Sequence, residues 1–141
     1  MNRMLTSWMP QVLSVVRIMA SLLFIEHGTQ KLVGFPAPGP RGMAELLSMT
    51  GFEGCLEIFG GALLAVGFQT RIVAFLLSGE MAVGYFMVHA PRSFYPILNN
   101  GDAAILFCFI FLLFVFSGGG AWSVDSILGW DPKRAEWQVR G

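Results

Sequence analysis

The stretch that decides the fold is residues 12–35, VLSVVRIMASLLFIEHGTQKLVGF, which is apolar and long enough to cross a membrane. A membrane-spanning helix needs about 20 mainly apolar residues. This one also carries Arg17, Glu26, His27 and Lys31. Ionisable side chains at membrane depth cost roughly 2.5–3.5 kcal/mol each on insertion scales, so they persist where they face a protein interior or a wet cavity. We therefore expect this helix to pack against other helices.

Helical spacing separates these four residues, since successive side chains turn by about 100°. One stripe contains Arg17, Ser21, Phe24, Gly28 and Lys31. His27 lies at its margin and Glu26 points to the opposite side. We expect Arg17, His27 and Lys31 to face a bundle interior, and Glu26 to lie near the membrane interface. Alternatively, His27 and Lys31 lie in the last turns and extend to water.

The composition is that of an integral membrane protein. Of the 141 residues, 55% are hydrophobic and 13% are charged, and the mean hydropathy is +0.63, whereas about a quarter of the residues in soluble domains are charged. Basic and acidic residues cancel, nine against nine, so net charge does not indicate a nucleic-acid partner. Arg17 would interrupt the apolar core of a signal peptide, so we expect the first span to remain in the mature protein.

The hydropathy pattern predicts an all-α fold, an integral membrane four-helix bundle formed by one domain over residues 1–141. The predicted spans are residues 12–33, 46–67, 72–90 and 102–118. Connections rich in proline and glycine, such as residues 34–42, separate them. The partner common to all four spans is the lipid bilayer.

The basic residues in the connections predict the orientation. One side would carry Arg3, Arg71, Lys133, Arg134 and Arg140, and the other Lys31, Arg41 and Arg92. Because cytoplasmic loops are enriched in basic residues, this distribution favours cytoplasmic N- and C-termini. We expect a multi-pass protein of the bacterial cytoplasmic, or inner, membrane.

The second span combines carboxylates with glycines. One face holds Glu53, Glu57, Gly60, Leu64 and Gly67, with Gly61 beside them. Small residues let helix backbones approach closely, so Gly60, Gly61 and Gly67 are predicted helix-packing positions. A carboxylate at the depth of Glu57 needs a partner, and Arg17 is the predicted one, because their depths should differ by less than about 10 Å.

The third span places Glu80 at a similar depth. An arginine between two carboxylates leaves a net negative unit, so Arg17, Glu57 and Glu80 are predicted to form either a proton relay or a buried ion-pair cluster. His89 falls nearly opposite Glu80 unless the helix ends before Pro91, so it belongs either to a loop at an entrance or to the membrane interface. Asp102 follows an Asn-Asn-Gly turn, where an acidic residue favours a helix N-terminus.

The chain contains two cysteines, Cys55 and Cys108, and neither belongs to a CxxC motif. A disulfide framework is therefore not expected. Buried cysteine usually behaves as a small apolar residue. The other interpretation is a thiol pair, formed if two helices bring these positions together.

Motifs along nearly the whole chain resemble the DoxX family of small four-helix bacterial membrane proteins. They are Arg17, His27-Gly28 with Lys31, Glu57-x-x-Gly60-Gly61-x-x-Leu64-x-x-Gly67 with Thr70-Arg71, Glu80-Met81, His89-Ala90-Pro91, Asn100-Gly101-Asp102, and Gly118-x-Gly120-x-x-Ser123-x-Asp125. Each motif is weak alone, but their order and spacing together are specific. The chain departs from the family pattern at Asp102, usually glutamate, and at Gly119, usually proline.

The resemblance implies a fold and, loosely, a redox function, since the name-giving members are associated with quinone-linked sulfur oxidation. The first hypothesis is a quinone-interacting subunit of a membrane redox system. Glu57, Glu80 and Arg17 would form its buried relay, and the substrate would meet His27, Lys31, His89 and Asp102 near the outer mouth. No haem or iron–sulfur ligand set is visible, so no covalently bound cofactor is expected and electrons would come from a partner oxidoreductase.

Two other functions stay open. The first is an anchoring or assembly subunit without chemistry, in which internal ion pairs fix the helix register. The second is a small transporter or metal-handling protein, although the two histidines are too far apart to form a compact metal motif. For each of these functions we expect a homo-oligomer or a membrane complex, because Glu26 faces outward.

Overall fold

A computed structural model describes residues 2–40 and 42–131, and every regular element in this part of the chain is helical. The helices are α1 Asn2–Ser7, α2 Met9–Val33, α3 Met49–Val66, α4 Thr70–Gly84, α5 Pro96–Asn99, α6 Asp102–Ser117 and α7 Val124–Ile127. A π-helical turn, Tyr85–His89, extends α4.

Four helices form a closed ring in which α2 packs on α3, α3 on α4, α4 on α6, and α6 on α2. The predicted four-helix bundle is therefore confirmed. Consecutive helices run in opposite directions, so the connections between them alternate between the two ends of the bundle. The near end carries α1, the α3–α4 turn and α7. The far end carries residues 34–40 and 42–48, between α2 and α3, and residues 90–101, between the π-helical turn and α6.

Three helical segments are long and apolar enough to cross a membrane, namely Met9–Val33, Met49–Val66 and Thr70–His89. The fourth, α6, has 16 residues, which corresponds to about 24 Å at 1.5 Å per residue. It is shorter than the hydrocarbon core of a typical bilayer, about 30 Å. The predicted fourth span is thus an apolar helix of less than full crossing length.

The second helix begins later than the sequence pattern indicated. The Ser48 side chain accepts a hydrogen bond from the Gly51 amide at 3.0 Å and caps α3. Serine is a favourable N-cap because its side-chain oxygen satisfies an amide that has no partner within the helix. Residues 43–48 consequently belong to the far-end connection, and α3 starts at Met49.

Glycines bring α2 and α3 into close contact. A methyl group placed on Gly28 would lie 2.8 Å from the Gly54 carbonyl oxygen, and one on Gly61 would lie 3.4 Å from the Ser21 carbonyl oxygen. Gly61 thus lies at the contact between α2 and α3. Gly60 packs against α4 instead, where an added methyl group would lie 2.7 Å from Leu77.

Gly67 follows the last residue of α3, and its close contacts are with Ser123 and with the Arg17 side chain of α2. It ends α3 in the left-handed conformation, with φ +72°. Glycine is favoured there because it has no Cβ to clash. An added methyl group would collide with Ser123, which lies in the segment after α6.

The apolar core of the bundle lies between the two ends and is dominated by phenylalanine. The rings of Phe24 and Phe111 pack edge to face with centroids 4.8 Å apart, and those of Phe107 and Phe111 stack at 5.6 Å. The buried core consists of Ala20, Phe24, Leu64, Val73, Ala74, Leu77, Phe107, Phe111 and Phe114. Such ring geometries add to the stabilisation from burial.

The orientation in the membrane stays a prediction. Arg71 lies at the near end, and Lys31 and Arg92 lie at the far end, on the sides that the sequence analysis gave them. Arg41, Lys133, Arg134 and Arg140 lie outside the described residues.

Candidate functional site

A cavity of about 440 Å³ opens between the far-end halves of the helices. We call it the central cavity. Its ionisable lining residues are His27, Lys31, Glu53, Glu57, Glu80 and His89. Aromatic and thioether side chains, including Phe24, Phe107, Met81 and Met87, form much of the remaining wall. The structure thus brings five of the predicted site residues to one space and adds Glu53 to them.

Lys31 holds two carboxylates of α3. Its Nζ lies 2.9 Å from Glu57 Oε1 and 3.2 Å from Glu53 Oε2. The two glutamates are four residues apart, so they lie on one face of α3. The Glu57 side chain is 3% exposed, and burying a carboxylate without such a partner is costly. Lys31 therefore fixes α2 against α3 at the level of the cavity.

Arg17 does not pair with Glu57 or Glu80, so the predicted three-residue cluster is wrong. Arg17 is fully buried near the near end. Its Nε donates to the Gly119 carbonyl at 2.8 Å and its Nη2 to the Trp122 carbonyl at 2.6 Å. Its Nη1 donates to the carbonyls of Leu64, at 2.5 Å, and Ala65. The guanidinium thereby joins α2 to the end of α3 and to the segment after α6.

The helix register explains this correction. Gly28 lies opposite Gly54, and Ser21 lies opposite Gly61, which places Arg17 opposite Ala65. Glu57 is eight residues before Ala65, or about 12 Å along the axis. The last carbonyls of a helix also lack partners within the helix and attract cations. Arg17 satisfies those of α3 directly.

Glu80 is the most unusual group in the cavity. Both of its carboxyl oxygens are buried without a hydrogen-bond partner among the described residues, and the same holds for Glu57 Oε2. Buried polar atoms in folded proteins are nearly always hydrogen-bonded, because desolvating them without a partner is costly. Three carboxyl oxygens at this one cavity are thus available to a ligand.

His89 reaches the cavity because the helix widens before it. The Ala90 amide donates to the Tyr85 carbonyl at 2.9 Å, a bond across five residues. Each residue of such a turn advances by less than 100°, so His89 comes round toward the side of Glu80. Single π-helical turns of this kind are frequent at functional sites. The interpretation of His89 as a residue at an entrance is supported.

The hydrogen bond of His89 fixes which ring nitrogen is available. Nδ1 lies 2.9 Å from the Asn99 carbonyl oxygen. A carbonyl oxygen only accepts, so Nδ1 carries the hydrogen, and in the neutral ring Nε2 is an acceptor. The ring also stacks on Tyr85 with centroids 6.2 Å apart. On the other wall, His27 packs edge to face with Phe107 at 5.8 Å.

Two further predicted positions lie outside the cavity. Asp102 is exposed in the first turn of α6 and does not line the cavity, although its neighbours Asn100 and Ala103 do. Its position supports the helix N-terminus rather than a ligand. Glu26 is exposed on the opposite side of α2 from the buried Arg17 and Phe24, as predicted.

The two cysteines are free. Cys108 Sγ lies 3.5 Å from Ser78 Oγ, and the Cys108 carbonyl accepts a hydrogen bond from the same hydroxyl at 2.9 Å. This contact joins α4 to α6. Cys108 therefore acts through the packing of two helices.

The central cavity has an apolar mouth. Met49, at the start of α3, and Met87, in the π-helical turn, both line the cavity. Their exposures are 63% and 61%. Because both side chains face the cavity and the surface, the cavity opens between the far-end segments of α3 and α4.

Sequence comparison places the chain among bacterial membrane proteins. It is 40% identical over 126 residues to a Haemophilus influenzae protein, covering 86% of this chain and 94% of that protein. It is 29% identical to the inner membrane protein YqjF of Escherichia coli, over 81% of this chain and 89% of YqjF. It is also 29% identical to the membrane protein Rv3486 of Mycobacterium tuberculosis, over 94% of this chain and 89% of Rv3486.

No solved structure matches the chain significantly. The family model described as DoxX matches residues 12–90, which contain α3, nearly all of α2, and α4 with its π-helical turn. These helices supply every ionisable group of the central cavity. Together with three helical segments long enough to cross a membrane, this match shows that the chain is a membrane protein of the DoxX family.

Proposed function

We propose that this protein is the quinone-binding subunit of a redox system in the bacterial inner membrane, with the quinone headgroup in the central cavity. The observation that carries the proposal is the pair of buried, unpartnered carboxyl oxygens of Glu80. A carboxylate accepts hydrogen bonds, and a quinol hydroxyl is a donor of suitable size and polarity.

The size and lining of the cavity fit such a ligand. Ligand pockets of proteins commonly measure about 300–1,000 Å³ and combine apolar walls with a few polar groups. The central cavity, at about 440 Å³, lies within that range. Phe24, Phe107 and Met81 would contact the ring, while Glu80 and His89 Nε2 would accept hydrogen bonds from its hydroxyl groups.

The apolar mouth supports access from the bilayer. Quinones of bacterial membranes carry long hydrocarbon tails and diffuse within the lipid. A headgroup that entered between Met49 and Met87 could leave its tail outside, among the lipid chains. The exposed methionines would adapt to such a tail because the thioether side chain is flexible.

The chemistry assigned to this chain is the handling of protons. Oxidation of a quinol to a quinone releases two electrons and two protons. The electrons pass to a partner oxidoreductase, while Glu80 accepts the proton of one hydroxyl group and His89 Nε2 accepts the proton of the other. Lys31 holds the two other carboxylates of the cavity, with its Nζ 3.2 Å from Glu53 Oε2 and 2.9 Å from Glu57 Oε1. Quinone reduction would use the same groups in the opposite direction.

A quinone titration of the purified protein in lipid nanodiscs tests the proposal. We expect saturable binding of a short-chain quinol, weakened at least about tenfold in Glu80→Leu, since a hydrogen bond to a charged group contributes about 1.5–3 kcal/mol. Glu26→Leu is the matched control, because it makes the same substitution on the exposed face and should bind like the wild type. Absence of saturable binding, or equal affinity in Glu80→Leu, would contradict the proposal.

The anchoring function is the second candidate, and the Lys31–Glu57 ion pair favours it, because such a pair can fix helix register without chemistry. The same titration separates the two functions. An anchoring subunit would bind no quinol in the cavity, yet it would still lose stability when the ion pair is removed.

A further inference from the structure

A second, larger cavity lies beyond the central cavity at the far end. Its volume is about 560 Å³. We call it the far-end vestibule. Polar and basic side chains line much of it, namely Gln30, Lys31, Ser48, Thr50, His89 and Arg92. The remaining wall comes mainly from the loop between α2 and α3. These polar side chains can hydrogen-bond to water that enters the vestibule at the far end.

The central cavity and the far-end vestibule share part of their walls, which we call the partition. The residues that line both spaces are Lys31, Thr50, Val88 and His89. Three of these four carry groups that donate or accept hydrogen bonds and can exchange protons with water. A proton in the central cavity thus meets mostly polar side chains in the wall shared with the vestibule.

Buried side chains, many of them apolar, close the opposite direction. Leu77, one turn before Glu80 on α4, is 2% exposed, and Leu64, Phe111 and Phe114 are fully buried. The small cavity at the near end, about 120 Å³, has no lining residue in common with the central cavity. Buried hydrocarbon offers no hydrogen-bond partner to a proton or a water molecule.

The titratable groups that line the central cavity with Glu80 come from three elements. Glu53 and Glu57 face it from α3, Lys31 and His27 from α2, and His89 from the π-helical turn. The residues of α6 that line the cavity are Ala103, Ala104 and Phe107, none of which titrates. The titratable groups that line the cavity with Glu80 therefore belong to α2, α3 and the π-helical turn. Two of them, Lys31 and His89, also line the vestibule.

We propose that Glu80 exchanges protons with one side of the membrane alone, the far-end side, through the partition formed by Lys31, Thr50 and His89. A proton leaves the Glu80 carboxyl group, is accepted by His89 Nε2 or a water molecule at the partition, and is released to water in the vestibule. Only O–H and N–H bonds break and form, and no electrons move. The origin of that proton in a quinol rests on the proposed function, whereas the route does not.

Carbodiimide labelling tests the route. Dicyclohexylcarbodiimide reacts with protonated carboxyl groups in apolar surroundings, and mass spectrometry of peptides measures the adduct on Glu80. Sealed vesicles with a single orientation allow the pH to be changed in one compartment at a time. Leu47→Cys, at a fully exposed far-end position, identifies the far-end compartment with an impermeant thiol reagent, in a background with Cys55 and Cys108 replaced by alanine.

The expected result is one-sided. Raising the pH in the far-end compartment lowers Glu80 labelling, by about tenfold per pH unit once the group is mostly ionised, and raising it on the near-end side has no effect. Labelling that follows the near-end pH, labelling that follows neither side, or absence of labelling at every pH would each overturn the proposal.

A substitution in the partition sharpens the test. His89→Phe keeps an aromatic ring but removes the acceptor, so labelling should respond to a far-end pH change at least several-fold more slowly. Tyr95→Phe, an exposed far-end aromatic outside both cavity linings, is the control and should respond like the wild type. An unchanged rate in His89→Phe would exclude His89 from the route. Sided labelling without quinol binding would overturn the proposed function and leave this route standing.

Discussion

The two ends of the bundle treat buried polar groups in opposite ways. At the near end, Arg17 donates to four carbonyls, and Asp125 accepts hydrogen bonds from the amides of Gln69 and Thr70 at 2.8 and 2.7 Å. At the far end, three oxygens of Glu57 and Glu80 are buried without a partner. Satisfied groups hold a fold together, whereas unsatisfied ones point to a ligand.

The comparison also explains why the family motifs fall into two sets. Gly67, Ser123 and Asp125 meet at the near end, where Asp125 caps α4 and Ser123 caps α7 at 3.1 Å. Among the motif residues at this end, Thr70 differs, because its hydroxyl oxygen is buried without a hydrogen-bond partner in the described part of the chain. The near-end motifs are therefore mainly structural, and the residues to which the proposed function gives a chemical task lie around Glu80.

Replacement of Arg17 should have the largest effect on stability. Arg17→Met leaves several buried carbonyls without their donor, and we expect a loss of about 3–5 kcal/mol in the free energy of unfolding. Arg17→Lys should recover only part of it, since one ammonium group cannot reach all four carbonyls on the two segments. Unfolding of the purified protein in mixed micelles measures both. A stability equal to that of the wild type would show that the near end does not hold the bundle.

The α2–α3 contact should be the next most sensitive. Gly28→Ala places a methyl group 2.8 Å from the Gly54 carbonyl oxygen, and overpacking of this kind typically costs about 1–3 kcal/mol. Gly79→Ala is the matched control, because a methyl group there meets no atom within 4 Å and alanine favours the helix by about 0.5–1 kcal/mol. Equal effects of the two substitutions on thermal unfolding would contradict the close packing.

Glu57 and Glu80 should separate stability from function. Glu57→Gln weakens the pair with Lys31, so we expect a loss of about 1–3 kcal/mol in the free energy of unfolding. Glu80→Gln removes no ion pair and should leave stability within about 0.5 kcal/mol, while abolishing proton-coupled activity in the intact membrane complex. Full activity in the double variant, measured in native membranes, would exclude the relay and favour the anchoring function.

The smallest effect should come from Glu26, on the exposed face of α2. Glu26→Gln should change the thermal stability of the monomer by less than about 0.5 kcal/mol. Any effect should appear in association, measured by size-exclusion chromatography with light scattering. A large loss of monomer stability would show that Glu26 has an internal partner.

The sequence predicted which side chains face the interior of the bundle better than it predicted which groups they contact there. Helical periodicity placed Lys31, Glu57 and Gly61 on interior faces because it depends on angle alone. Pairing also depends on the depth of each residue along the bundle axis. The predicted depth of Glu57 was wrong, because Ser48 caps α3 and the helix begins at Met49, later than the apolar pattern indicates. Arg17 was therefore given a carboxylate partner, when its true partners are backbone carbonyls, which no side-chain pattern reveals.

Two features of the central cavity were not predicted from the sequence, and the reasons differ. Glu53 shares a face with Glu57 in the sequence, so its place beside Lys31 was within reach of the pattern. The π-helical turn was not, because a bond across five residues leaves no signal in residue type. That turn decides that His89 lines the cavity.

The most direct test of the central claim is photolabelling with an azido-quinone. If the headgroup binds in the central cavity, the adducts should concentrate on its wall, at Met81 and Met87, and an excess of unmodified quinone should prevent them. Adducts spread over the exposed apolar surface, at residues such as Phe59, Phe75 and Phe109, and insensitive to competition, would contradict the account.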